Sequence, residues 1–278
     1  MQIIKNKKSG VMFAAITLIW TWGVLAVPII CGLDFANIIT KISYVLMGAS
    51  PSVIALIFVF FSGDRVYKNS FLKRIVSLGS VRAKGLAAIF LLVPTVTVLS
   101  ACIDFLITST PLDTSVLSSY LQNPAGLIMF AAFTLVFGPL AEEIGWRGYL
   151  LDCLKKLGPL VYGVGIGLIW AIWHLPMFFI AGTYQNGLFE QGLLLVLCFF
   201  LSTTALGVII GEIAKKYNSI LAAILFHFMI NFTGELIPLS ISAELIKLAL
   251  YILIAVAIIG RYYHMKNILV DKKLRIGS

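Results

Sequence analysis

Charge is scarce in this chain. Only 12% of its 278 residues are Asp, Glu, Lys or Arg, while 60% are hydrophobic and the mean hydropathy is +1.01. A soluble globular domain carries about a quarter charged residues, so the composition excludes that class and points to the membrane. Strand-like alternation is missing too, which leaves helices as the spanning elements. Cysteine is sparse: Cys31, Cys102, Cys153 and Cys198 stand singly, with no CxxC pair and no disulfide spacing. They read as small buried hydrophobes without a redox or metal role. There is no Gly-x-Ser-Gly nucleophile, no pair of aspartates within the apolar runs, and no His-Glu-x-x-His. No internal repeat, low-complexity segment or long linker divides the chain, which predicts one transmembrane domain over 1–278.

What is present is a series of apolar runs, each long enough to cross the hydrocarbon layer as a helix of about 20 residues. Eight can be drawn, at about 11–31, 43–62, 84–102, 126–150, 160–181, 188–211, 219–238 and 244–260. The expected fold is therefore all-α, a polytopic membrane bundle of about eight transmembrane helices. The first run follows Lys5, Lys7 and Lys8 but continues through Pro28 and Ile30 without a small-residue cleavage site, so it reads as a retained span. Between the second and third runs, Phe71, Leu72, Ile75 and Leu78 recur at helical spacing among basic residues. That segment fits either an interfacial helix or a solvated loop.

The net charge of +9 raises nucleic acid as a partner, but its distribution points elsewhere. With the N-terminus inside, 19 of the 21 basic residues fall on one side of the membrane and only Lys41 and Lys247 on the other. This is the positive-inside pattern, and it predicts both termini in the cytoplasm. A prokaryotic cell membrane is the expected location. Nucleic acid is not expected as a partner; membrane lipid is.

The informative residues are the polar ones inside the runs, because ionisable groups at that depth are costly and by default mark function. Glu142 and Glu143 stand in the fourth run. Arg147 is four residues beyond Glu143, so the two share a helix face and can pair, leaving Glu142, about 100° around, to face a cavity. The fifth run places Trp170 and His174 four apart, with Pro176 interrupting the helix just beyond. The seventh places His227 and Asn231 on a common face. His264 follows the last run among basic residues and reads as exposed.

Depth links the three helices. Glu142 lies 13 residues from Lys155, His174 15 from Pro159, and His227 and Asn231 11 and 15 from Lys216. At about 1.5 Å per residue all four sit about 16–23 Å from the basic boundary, consistent with one site reached by water from that side.

These motifs (Glu142-Glu143 with Arg147, Trp170 with His174, His227 with Asn231) resemble those of the CAAX prenyl protease type II family, also called Abi or CPBP intramembrane proteases. The resemblance covers about 126–240. One departure is that the second motif commonly begins with Phe, where this chain has Trp170. The resemblance implies an eight-helix intramembrane endopeptidase of CAAX-processing or peptide-maturation type, acting on a peptide or protein that is prenylated or not. Two mechanisms are implied. In one, Glu142 is the general base on a water that His174 helps hold, His227 and Asn231 stabilise the oxyanion, and Glu143 with Arg147 fixes the helix or binds a substrate carboxylate. In the other, Glu142, His174 and His227 ligate Zn²⁺. Asn231 is easier to place as an oxyanion donor than as a ligand, which favours the metal-free form. A catalytically silent bacteriocin-immunity protein and a proton-coupled transporter are the competing functions. The transporter fits less well, because Asp104 and Glu212 lie near helix ends and the outer halves are almost wholly apolar.

Overall fold

The computed structural model describes residues 6–61 and 64–276, with side chains described through 269. Lys5 lies outside the described residues, as do the side chains of Lys272, Lys273 and Arg275. Among the described residues all regular structure is helical. The long elements are α1 (Lys7–Ile30), α2 (Ile38–Phe60), α3 (Arg65–Val76), α4 (Ala83–Thr108) and the short α5 (Ser115–Leu121). They are followed by α6 (Pro124–Leu157), α7 (Leu160–Phe179), α8 (Tyr184–Gln191), α9 (Leu193–Tyr217), α10 (Ile220–Leu236) and α11 (Ile241–Ile276).

Local sequence explains where these begin. Asn6, Asn37, Asp64, Asn123, Thr183 and Ser219 each cap a helix by accepting a backbone N–H in its first turn. Pro124 follows its cap directly, where a missing N–H costs nothing. Gly158, at φ +90°, turns the chain from α6 into α7 beside Pro159.

Among the described residues, seven helices are long and apolar enough to cross a membrane: α1, α2, α4, α6, α7, α9 and α11. The eighth expected span is α10, whose 17 residues reach about 25 Å, a little short of the hydrocarbon thickness of about 30 Å. The polytopic all-α bundle read from the sequence is what forms. The run expected at 188–211 begins instead at Leu193, because Gly192 (φ +123°) breaks it from α8. The segment left open between helix and loop is a helix, α3. It docks on α6: Phe71 is fully buried, Arg74 pairs with Asp152, and the Tyr67 hydroxyl donates to Asp152 Oδ2 at 3.0 Å.

The cysteine expectation needs correcting. Only Cys153 is buried; Cys31 and Cys102 are exposed, and all four are free. Outward faces of spanning helices meet lipid, which accepts a small apolar group as readily as the interior does.

Close backbone approach holds the bundle together. A Cβ on Gly207 of α9 would lie 2.5 Å from the Gly167 Cα of α7, and one on Gly145 of α6 would lie 2.5 Å from the Pro51 carbonyl oxygen of α2. Small residues allow such contact, as lipid supplies no hydrophobic drive between helices. The halves of α6 differ sharply. Pro124–Leu135 has no buried residue, whereas every residue from 142 to 151 is buried, with α2 and α10 packed around that half.

Candidate active site

The carboxylates sit in an irregular part of α6. Pro139 cannot donate an N–H, and a π turn over Val136–Leu140 accommodates it. One α-helical turn, Ala141–Glu143, carries the two glutamates, and a second π segment follows over Ile144–Leu150. Such wide turns alter the rotational phase of the side chains and recur at functional sites.

Glu143 is the centre of an ion cluster. Its Oε1 accepts from Arg147 Nη1 at 2.8 Å, as the spacing of four predicts, and from His227 Nδ1 at 2.8 Å. The side chains of Glu143 and Arg147 are wholly buried. Glu142 has a different partner. Its Oε2 accepts from the indole N–H of Trp170 at 2.6 Å, and the residue is 7% exposed. The Trp170 ring also carries the Arg147 guanidinium 4.5 Å from its centroid and lies edge-to-face with His227 at 5.0 Å.

His174 ends the regular part of α7. The helix stops at Trp173 and continues as a tighter turn, Leu175–Phe179, containing Pro176. In that closing turn the His174 N–H bonds to Ala171 O, which leaves Trp170 O to accept from His174 Nδ1 at 2.8 Å. A carbonyl only accepts, so the proton is on Nδ1, and in the neutral ring Nε2 is an acceptor. Behind it, Trp173 Nε1 donates to Thr21 Oγ1 at 2.7 Å, and Thr21 bonds Ser50 at 2.9 Å. Those hydroxyls tie α7 to α1 and α2.

Glu142 and His174 share the lining of a small cavity with Tyr44 and Gly48 of α2, Phe137 of α6 and Met177 of α7. Its volume is about 20 Å³, room for one water. Towards the basic end the path is closed: Trp146, Arg147, Tyr149 and Leu150 are each buried to within 1%. Tyr44 lies near the start of α2 and Met177 near the end of α7, both at the opposite end of the bundle. Water access from the basic side, expected from depth, is therefore not what the packing provides. The cavity lies on the other side of Glu142, beside Phe137, which is 44% exposed.

Asn231 is half-buried on α10, one turn beyond His227. Its Nδ2 would lie 2.9 Å from a Cβ at Gly138, so a glycine in the first π turn makes room for the carboxamide. His264 is exposed on α11. The structure thus joins Glu142 and His174 at a cavity, gathers Glu143, Arg147 and His227 beside it, and sets Asn231 against the same helix. Among the described residues no group of three or more His, Cys, Asp or Glu is placed to hold a metal ion. Tyr44 and Phe137 had no signal in the sequence, being ordinary aromatics in apolar runs. Trp170 stands in a motif, but helical spacing carries no signal for its bond to Glu142, 28 residues away.

CAAX prenyl protease 2 of Methanococcus maripaludis is 32% identical over 217 residues, covering 76% of this chain and 78% of that one. The chain belongs to the CAAX prenyl protease family. A family model described as Type II CAAX prenyl endopeptidase Rce1-like matches residues 124–233, a span that contains Glu142, Glu143, Arg147, His174, His227 and Asn231. Family and helices together make this an integral membrane protein of the intramembrane endopeptidase class, whose substrate is a peptide or protein.

Proposed function

We propose that the chain hydrolyses a peptide bond with a water activated by Glu142, in a glutamate-type mechanism. The observation that carries this is the meeting of Glu142 and His174 at a cavity with room for one water. The carboxylate takes a proton from that water while His174 Nε2 accepts its second hydrogen bond. The hydroxide attacks the scissile carbonyl, and Glu142 then returns the proton to the leaving amine. His227 and Asn231 face the oxyanion, where each preorganised donor contributes about 2.7–4 kcal/mol. His227 donates from Nε2 only as the doubly protonated ring, and Glu143 on Nδ1 supplies the counter-charge for that form. Arg147 balances Glu143 in turn.

The metal-free form is preferred because Asn231, set against α6 at Gly138, is easier to place as an oxyanion donor than as a metal ligand. The substrate approaches between α2 and the exposed first half of α6, where Tyr44, Gly48 and Phe137 frame the cavity. A C-terminal CAAX segment, prenylated or not, is the first substrate class to try. Asp104 and Glu212 are engaged by the Ser240 and Tyr162 hydroxyls, which argues against their forming a proton path. On the positive-inside rule both termini are cytoplasmic.

The test is mass spectrometry of products from prenylated and unmodified C-terminal peptides incubated with wild type and Glu142→Ala. Cleavage by the wild type alone supports the mechanism. Equal cleavage by both overturns it, and no cleavage at all favours a silent immunity-type protein.

A further inference from the structure

Two glutamates stand side by side, one guanidinium is within reach, and only one glutamate is paired with it. Something must keep Arg147 from the other. Arg147 Nη1 is committed to Glu143, but its Nε and Nη2 are buried without a hydrogen-bond partner among the described residues. A carboxylate such as Glu142 is the natural acceptor for those donors. The Trp170 indole meets both groups: its N–H holds Glu142 Oε2 at 2.6 Å and its face holds the guanidinium at 4.5 Å.

We infer that Trp170 is a positioning residue that divides the two glutamates by role. It fixes one oxygen of Glu142 and occupies Arg147 through its ring, which leaves the other Glu142 oxygen for the cavity water. The inference rests on the proposed role of Glu142 as base. Ordinary satisfaction of a buried indole does not account for the arrangement. Trp146 Nε1 is equally buried and has no hydrogen-bond partner among the described residues, and Trp173 Nε1 is served by hydroxyls. Among the described residues Trp170 alone donates an indole N–H to a carboxylate. Phenylalanine at this position keeps a face for Arg147 but supplies no donor, so the tryptophan adds a contact that the commoner residue cannot make.

The two functions of the ring are separable by substitution. Trp170→Phe keeps the face and removes the donor; Trp170→Leu removes both. With a peptide that the wild type cleaves, Trp170→Phe should lower kcat about tenfold with KM within about twofold, the size expected for one hydrogen bond to a charged group. Trp170→Leu should lower kcat about a hundredfold, because Arg147 is then also released. A second readout needs no turnover. In ¹⁵N-indole spectra of the full-length protein in detergent, the Trp170 resonance, assigned by its loss in Trp170→Phe, should move upfield in Glu142→Ala. The Trp20 resonance should stay in place. A Trp170 resonance indifferent to Glu142→Ala overturns the contact, whether or not any peptide is cleaved. Wild-type kcat in Trp170→Phe overturns the positioning role. Loss of activity in Glu142→Ala with normal turnover in Trp170→Phe would leave the proposed mechanism standing and sink this inference alone.

Discussion

One oxygen of Glu143 accepts from two side chains: Arg147 from its own helix and His227 from α10, each at 2.8 Å. Glu143 is thereby the strut that ties α6 to α10 beside Glu142. Removing its charge should unbalance both partners. Glu143→Gln leaves a buried guanidinium without its counter-charge, for which a destabilisation of about 3–5 kcal/mol is expected. The melting temperature in detergent should fall, and cleavage should be lost with it.

Glu142→Gln should behave differently. The amide oxygen still accepts from Trp170, so the fold is kept, but an amide cannot take a proton from water. Peptide turnover should disappear while the melting temperature stays close to wild type. A melting loss as large as that of Glu143→Gln would contradict the division of roles between the two.

Asn231→Ala should reduce kcat by about 10² with little change in KM, as for the loss of one oxyanion donor. Gly138→Ala approaches the same end from the other helix. Its methyl would lie 2.9 Å from Asn231 Nδ2, displacing the carboxamide, so kcat should fall although no hydrogen-bonding group is removed. Steady-state kinetics on both variants tests this.

Gly145→Ala probes the scaffold. The new Cβ would sit 2.5 Å from a backbone oxygen of Pro51, which cannot swing aside as a side chain can. Overpacking of this kind costs about 1–3 kcal/mol. Unfolding should begin at lower temperature, and activity per folded molecule should drop as α2 shifts away from the cavity.

Exhaustive chelation of purified protein should leave turnover unchanged, with no stoichiometric metal by elemental analysis. Loss of activity restored by added Zn²⁺ would reject the glutamate-type mechanism.

Much of this site was legible from spacing alone. Glu143 and Arg147 pair because residues four apart share a helix face, whereas the contact of His227 with Glu143 is set by how α10 packs on α6. The rest depends on contacts that spacing does not carry. The Trp170–Glu142 bond joins residues 28 apart, and the closed basic side follows from how bulky residues such as Trp146 and Tyr149 pack behind the carboxylates. Spans were delimited well where runs were purely apolar. Less legible were α3, whose burial comes from docking on α6, and the cysteines, since hydropathy does not separate lipid-facing from core positions.

The two π segments of α6 also bear on how this chain should be compared with its relatives. Each winds more residues into a turn than an α-helix does, so positions on either side are out of step with a regular helical count. A π turn holds about one residue more than the α turn it replaces, so losing a single residue from Val136–Leu140 as the turn became α-helical would keep the following carboxylates in phase with the preceding stretch. The same loss with the wide turn kept would rotate them by about 100°, setting Glu143 where Glu142 stood and Glu142 where Ala141 stood. A relative with the same letters keeps the site only where its residue count and the width of this turn change together.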